Sequence, residues 1–106
     1  MMSDVRFPSL NKRVLSGSVH VPSRPNGVAV VLLHGLHATR EQHWMHQWGE
    51  VLSDRGYTVL RFDFAGNGLS EGTFEKDNTY TQAEKDVRGA ISFLREKHAV
   101  QSVLLV

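Results

Sequence analysis

Short apolar segments alternate with longer amphipathic ones along most of this 106-residue chain. The six-residue apolar run Val28–Leu33 has the composition of a strand buried on both faces, as in a parallel sheet. Thr58–Phe64 and Ser102–Val106 predict two further strands, and the loose alternation of Arg13–Val21 predicts an antiparallel strand at an exposed sheet edge. Strands that alternate with helices indicate βαβ units. The chain is therefore expected to be an α/β protein with a mainly parallel sheet, flanking helices and right-handed crossovers.

Two helices are predicted between these strands, because apolar residues recur there on one helical face. The residues that share a face are Trp44, Met45, Trp48, Val51 and Leu52 in the first helix, and Ala83, Val87, Ala90, Ile91 and Leu94 in the second. The stripe that contains Trp44 and Trp48 is expected to lie in the core. Gly56 is placed to terminate the first helix. The polar, glycine-bearing stretch Gly66–Asn78 is predicted to be a loop.

Both helices also have a candidate N-terminal signal. Thr39 and Gln42 have the spacing of a capping box before the first helix, and Thr81 and Glu84 have it before the second. In such a box the hydroxyl and the carboxamide or carboxylate satisfy two backbone N–H groups at the helix start.

Composition excludes several classes of protein. Hydrophobic residues make up 41% of the chain and charged residues 22%, as in ordinary single globular domains. Twelve basic residues against eleven acidic ones leave no basic footprint for nucleic acid or for an anionic membrane. Without cysteine there is no disulfide, thiolate zinc site or cysteine nucleophile. A six-residue apolar run is far short of the roughly 20 residues of a membrane span, and no apolar leader is visible, so a soluble cytoplasmic protein is expected.

Ligands of open α/β sheets bind outside the carboxyl ends of the strands. Two segments of the chain follow predicted strands at that edge: His34–His37 and Asp63–Gly68. They are the first places to look for a functional site.

These segments carry a resemblance to a known superfamily. Val30–Leu36 resembles the strand and His-Gly-X loop of α/β-hydrolases, and Gly56–Gly72 resembles the next strand with its glycine loop. Asp86–Leu94 is similar to the helix that precedes the nucleophile strand in that superfamily. The resemblance covers Val14–Val106 and is greatest to the cinnamoyl/feruloyl-esterase and serine-aminopeptidase-like branch.

The resemblance implies a serine hydrolase that acts on small-molecule carboxylic esters or amides, without a metal or a cofactor. It makes the backbone amide of Leu36 one donor of the oxyanion hole, with Gly35 allowing close approach of the substrate. By the same resemblance His34 organises this loop through hydrogen bonds, and His37 lies where it can contact substrate.

The remaining catalytic parts are not found in the chain. In α/β-hydrolases the nucleophile sits on a G-x-S-x-G elbow, and the acid and the histidine follow later. Val103–Val106 resembles the strand that leads into that elbow. Residues 1–106 are therefore expected to be the N-terminal part of the domain, truncated before the elbow and inactive alone.

Several residues imitate catalytic or metal sites. Gly68–Gly72 matches G-x-S-x-G, but no strand directly precedes it and no helix directly follows, so Ser70 is expected to be a turn residue. Asp63 is expected to form an Asx turn or to bind backbone amides of the glycine loop. Arg61 within an apolar strand is left with two possibilities: a pair with a carboxylate such as Asp63 or Glu71, or a place near a sheet edge.

Four clustered histidines invite a zinc interpretation, but no recognised motif completes a site, so solvated or loop-ordering roles are preferred. The clustered residues are His34, His37, His43 and His46.

Two other functions compete with the hydrolase interpretation. A mononucleotide-binding βαβαβ module is suggested by Gly66-x-Gly68, but the fingerprint needs its glycines after the first strand, and its third glycine position holds Glu71. A non-catalytic interaction fragment is suggested by Val103–Val106, an apolar strand whose open edge favours pairing with another chain or self-association.

Overall fold

The computed structural model describes residues 1–106. Its elements are β1 (Met2–Pro8), β2 (Val14–His20), β3 (Val28–Leu32), α1 (His43–Asp54), β4 (Thr58–Phe62), α2 (Phe74–Asp77), α3 (Tyr80–His98) and β5 (Ser102–Leu105). They build one five-stranded sheet in the order β1-β2-β4-β3-β5. β4, β3 and β5 run parallel, whereas β1 and β2 are antiparallel additions on one side. The expected α/β fold with helices on a mixed, mainly parallel sheet is confirmed.

The position of the edge strand differs from the prediction. β2 is antiparallel as expected, but it lies between β4 and β1 and is almost wholly buried. β1, which the sequence analysis did not predict, pairs with it from Met2 opposite His20 to Pro8 opposite Val14 and forms the edge. The polar residues of β2 give its sequence the pattern of an exposed strand, but they are buried, and no fully buried side-chain atom among them lacks a hydrogen-bonding partner. The Ser18 hydroxyl, for example, bonds Asp4 of β1 and Arg40.

β1 is held against α3 by a close approach at Gly89. A Cβ at Gly89 would overlap the Pro8 carbonyl group and approach the Cα of Ser9 to 2.7 Å. Both obstacles are backbone atoms, so they cannot move aside by a change of rotamer.

Gly89→Ala is expected to lower the free energy of unfolding by about 1–3 kcal/mol, as overpacking does. The measurement is the urea midpoint, followed by circular dichroism. Gly35→Ala is the matched control, because a Cβ at Gly35 meets no atom within 4 Å. Equal midpoints for the two variants would contradict the contact between β1 and α3.

The helix starts differ from the predicted capping boxes. α1 begins after Gln42 without a side-chain cap, and the Thr39 hydroxyl accepts from the Glu41 N–H instead. α3 begins two residues earlier than expected, and its cap is Thr79, whose hydroxyl accepts from the Gln82 N–H. The predicted boxes at Thr39 and Thr81 are therefore wrong. At α3 the spacing alone could not decide, because Thr79 and Gln82 offer a second box two residues before Thr81 and Glu84.

Two further local predictions have clear outcomes. Gly56 adopts φ +98° after α1, as a terminating glycine does. The predicted loop Gly66–Asn78 contains the four-residue helix α2, which Thr73 caps through its hydroxyl. So short a helix has no periodicity that the sequence could reveal.

The apolar core lies on both faces of the sheet. Its larger part, on the α3 face, consists of Phe7, Leu15, Val19, Ala29, Val31, Leu60, Phe62, Ala65, Ala90, Leu94 and Val100. Its smaller part, on the α1 face, consists of Val30, Leu32, Met45 and Val59. The expectation that Trp44 and Trp48 are core residues is wrong, because they remain 37% and 52% exposed. No helix combines the length and the apolar character needed to cross a bilayer.

Arg61 is fully buried on the α1 face. Its Nε–H donates to His20 Nε2 at 3.0 Å, and one Nη donates to the Arg40 carbonyl and to Glu41, both at 2.8 Å. The other Nη lies 3.2 Å from His46 Nδ1. Arg61 therefore pairs with a carboxylate, as one of the two possibilities held, but the partner is Glu41 and not Asp63 or Glu71.

His20 makes folding sensitive to acid. Burial first, and then the charge of Arg61, lower the pKa of His20, while Glu50 raises it and His46 and the N-terminus lower it further. Because the unfolded chain binds the proton more readily, stability is present above the unfolded pKa of about 6.5 and is lost as the pH falls through the lower folded value.

We expect the free energy of unfolding to fall by up to about 1.4 kcal/mol per pH unit for each proton taken up below pH 6.5. Burial also lowers the pKa of His98, which adds slope in the same range. His20→Gln keeps an acceptor for Arg61 and should reduce the slope without removing it. Urea denaturation between pH 5 and pH 8 measures this. An unchanged slope in His20→Gln would show that His20 does not carry the effect.

Candidate functional site

The side chain of His34 joins the carboxyl ends of β3 and β4. His34 Nε2 accepts from the Phe64 N–H at 3.0 Å, and Nδ1 lies 2.7 Å from the Gly35 carbonyl oxygen. Because Nε2 is an acceptor, the ring proton lies on Nδ1 and is donated to that carbonyl. The His34 and Phe64 rings also pack edge to face, with centroids 5.0 Å apart. His34 therefore ties the loop after β3 to the exit of β4, as a loop-organising residue would.

Leu36 lies at the mouth of a cavity of about 480 Å³ at this edge of the sheet. Its side chain is 70% exposed, and its backbone N–H donates to no group of the chain. Open space surrounds the position that a Cβ of Gly35 would take. A free N–H beside an open cavity can donate to an oxygen atom of a bound molecule.

His37 lies in the same loop and contacts α2. Its backbone is left-handed, with φ +56°, and its ring stacks on Phe74 of α2 with centroids 4.1 Å apart. This stacking connects the loop to α2, so one face of the His37 ring is already in contact with Phe74. A contact of His37 with substrate stays a prediction.

The carboxylate of Asp63 joins the loop after β3 to the glycine loop after β4. It accepts from the Arg40 N–H at 2.8 Å, from the Arg40 guanidinium, and from the Leu69 N–H at 3.1 Å. A Cβ at Gly68, where φ is +49°, would overlap this carboxylate, so the close approach requires glycine. The expectation that Asp63 binds amides of the glycine loop is confirmed, and Arg40 is an additional partner.

Asp86 of α3 binds the backbone just after β4, at Ala65. Its carboxylate accepts from the Ala65 N–H and from the Gln82 amide, both at 2.8 Å. Burial raises the pKa of Asp86, and these two hydrogen bonds oppose that effect. With the bond from His34, two successive amides after β4 are held by side chains, so this wall of the cavity is rigidly positioned.

Comparison with known proteins places this geometry in a family. Residues 24–106 match the family model described as serine aminopeptidase, S33. The chain belongs to the serine aminopeptidase S33 family. Over 103 residues it is 29% identical to the polyketide transferase ATR5 of Stachybotrys chlorohalonatus, and the match covers 97% of this chain and 34% of that protein.

Solved structures show the same fold. An esterase of Pyrococcus furiosus is 24% identical, with a TM-score of 0.83 over 99% of this chain and 41% of its own. An α/β serine hydrolase without a lid from Xanthomonas campestris is 19% identical, with a TM-score of 0.80 over 98% of this chain and 49% of its own. The chain thus spans between a third and a half of the length of these relatives, and the resemblance to α/β-hydrolases is confirmed.

Ser70 has a structural position in this member of the S33 family. Its hydroxyl donates to the Asp63 carbonyl and accepts from the Ser16 N–H at 2.8 Å. With both partners in backbone, it links the glycine loop to β2, as expected of a turn residue. No three side chains of His, Asp or Glu come close enough together to hold a metal ion.

Some residues around the site were missed by the sequence analysis. Arg40 is buried and links Asp63 to β2, but a single arginine in a polar stretch gives no signal in the sequence. Tyr80 lines the cavity and is almost fully exposed. Asp86 was noted only as part of a resembling segment, although its place four residues after Gln82 on one helix favours their contact.

Proposed function

We propose that this chain is the N-terminal portion of a serine hydrolase that acts on small-molecule carboxylic esters or amides. The free N–H of Leu36 beside the cavity carries the proposal. Membership of the S33 family supports it, and so do the esterase of Pyrococcus furiosus and the serine hydrolase of Xanthomonas campestris, which share the fold.

In the proposed reaction a serine hydroxyl oxygen bonds to the acyl carbon and its proton passes to a histidine. The acyl carbon becomes tetrahedral, and the former carbonyl oxygen becomes the oxyanion. The Leu36 N–H donates to that oxyanion, and the amide after the nucleophile is the second donor. His34 keeps the loop in place because its Nδ1–H donates to the Gly35 carbonyl and its Nε2 accepts from the Phe64 N–H. It acts as a positioning residue, because both ring nitrogens are engaged. His37 contacts the substrate beside the loop.

The 106 residues alone are expected to hydrolyse no ester. Ser70 is unsuitable as a nucleophile, since its hydroxyl proton is donated to the Asp63 carbonyl and no histidine base bonds it. Turnover by the purified chain that Ser70→Ala abolishes would contradict this assignment.

The test uses a hybrid chain, in which residues 1–106 are joined to the part of the Pyrococcus furiosus esterase that lies beyond the matched region. The hybrid chain supplies this loop together with the rest of a hydrolase of the same fold. We expect it to hydrolyse p-nitrophenyl esters, whereas residues 1–106 alone do not. A hybrid chain that folds cooperatively but shows no turnover above background would contradict the proposed function.

A further inference from the structure

The direction of the Leu36 N–H is set by the carbonyl group of the residue before it. A trans peptide unit is planar, so its N–H points opposite to its C=O. The Gly35 carbonyl accepts from His34 Nδ1 at 2.7 Å and from the Ala38 N–H at 3.2 Å. With both donors on that side, the Leu36 N–H is turned to the opposite side, where no group of the chain accepts it.

The bond from Ala38 closes a four-residue turn whose third residue is unusual. His37 occupies that place with φ +56°. Turns with a positive φ at the third residue normally carry glycine there, because a side chain makes this conformation costly. A residue other than glycine keeps it where a surrounding contact compensates. If His37 left this conformation, the turn would open and the Gly35 carbonyl would lose the Ala38 N–H.

The contact that compensates is the stack of the His37 ring on Phe74. The two ring centroids are 4.1 Å apart, and the ring planes are inclined by 23°. No hydrogen bond or ion pair engages the His37 ring, whereas both ring nitrogens of His34 are engaged. Stacking is therefore the interaction that fixes the side chain of His37, and through it the backbone of the turn.

Phe74 can serve as a fixed support because α2 is firmly anchored. The Thr73 hydroxyl caps the helix by accepting from the Lys76 N–H. The buried carboxylate of Asp77 accepts from the Thr73 N–H at 2.9 Å and pairs with Arg13 at 3.0 Å. Arg13 directly precedes β2, so these bonds connect α2 to the sheet. The short helix is thus held independently of the loop after β3.

We infer that Phe74 is a positioning residue for the oxyanion hole. Its ring holds His37 in the left-handed conformation, and the turn then keeps the Leu36 N–H directed into the cavity. His34 secures the start of the turn and Phe74 its end. The inference rests on the proposed function, since the direction of this N–H matters to catalysis only if it binds the oxyanion.

The first test reads the turn itself, without activity, by NMR of isotope-labelled residues 1–106. In Phe74→Ala we expect the amide signals of Leu36 and Ala38 to show relaxation dispersion, because the turn then exchanges between conformations in microseconds to milliseconds. They should stay sharp in Phe74→Tyr, which keeps a ring for the stack. Lys76→Ala, at an exposed position of the same helix, is the matched control and should also leave them sharp. Unchanged Leu36 and Ala38 signals in Phe74→Ala would overturn the inference.

The second test measures kcat of the hybrid chain. Phe74→Ala should lower kcat by about 10–100-fold, less than the complete loss of the N–H in Leu36→Pro, while KM changes little. In the His37→Gly background, the same substitution should leave kcat unchanged, since glycine adopts a positive φ without the stack. Any substrate contact of His37 is absent from both members of that comparison. Lys76→Ala is again the control and should keep kcat.

Two kinetic results would also overturn the inference. They are an unchanged kcat in Phe74→Ala, and an equal loss of kcat from Phe74→Ala with and without His37→Gly. The urea midpoint of each variant identifies any loss caused by unfolding, and Phe74→Leu, which keeps apolar volume but no ring, replaces Phe74→Ala should the latter unfold. A folded hybrid chain without turnover, together with the expected NMR result, would contradict the proposed function and still support the role of Phe74 in holding the turn.

Discussion

Asp63→Ala is expected to lower the free energy of unfolding by about 3–5 kcal/mol, the cost of breaking a buried ion pair by removing one partner. Asp63 is 1% exposed and Arg40 5%. Without the carboxylate, the Arg40 guanidinium keeps only the Ser18 hydroxyl within hydrogen-bond distance, and the Leu69 N–H loses its acceptor. The free energy of unfolding of a typical domain is about 5–15 kcal/mol, so this loss would be a large part of the total stability.

Urea denaturation measures this effect, provided that the slope of the unfolding free energy against urea concentration is the same in both chains. Asp63→Asn keeps the shape and one acceptor and should lie between Asp63→Ala and the unsubstituted chain. The double variant Arg40→Met/Asp63→Leu removes both charges and is expected to recover only the part of the loss that is due to the unpaired Arg40 charge, since the Arg40 and Leu69 N–H groups still lack their acceptor. A loss below about 1 kcal/mol for Asp63→Ala, the size expected of an exposed pair, would contradict the structural role of this pair.

Leu36→Pro in the hybrid chain is expected to lower kcat by about 10²–10³-fold, or about 2.7–4 kcal/mol of transition-state stabilisation. Proline removes the Leu36 N–H, which lies beside the cavity and donates to no group of the chain. KM should change much less, because the donor is needed for the oxyanion more than for the ground-state carbonyl.

Leu36→Ala is the control for this prediction. It shortens the exposed side chain but keeps the N–H, so kcat should stay within a few fold of the unsubstituted hybrid chain. Both variants must unfold at the same urea concentration for the comparison to hold. Equal losses in Leu36→Ala and Leu36→Pro would assign the effect to the side chain and contradict the oxyanion role.

Much of the fold could be predicted because its signals are local. The apolar run of β3 and the helical face of α3 each lie within one segment, and their order determines the parallel βαβ arrangement. The contact of Asp63 with the glycine loop was accessible for the same reason, since only six residues separate Asp63 from Leu69.

The predictions that failed depend on distant partners. β1 buries only Phe7, so its sequence does not distinguish an edge strand from a loop. Arg61 was recognisable as unusual, but His20 and Glu41 lie 41 and 20 residues away. The periodicity of α1 correctly places Trp44 and Trp48 on one face. It cannot reveal that both side chains stay partly exposed, because their burial depends on what packs against that face from elsewhere in the chain.

The central claim is that the Leu36 N–H binds the oxyanion. The most direct measurement is a crystal structure of the hybrid chain after reaction with the p-nitrophenyl ester of an alkyl phosphonate. The serine displaces p-nitrophenolate, and the tetrahedral phosphorus that remains imitates the intermediate. We expect a phosphonyl oxygen 2.7–3.1 Å from the Leu36 nitrogen, with the His34 ring still bridging Gly35 and Phe64. A phosphonyl oxygen bound by other amides, with the Leu36 N–H directed away from it, would contradict the account.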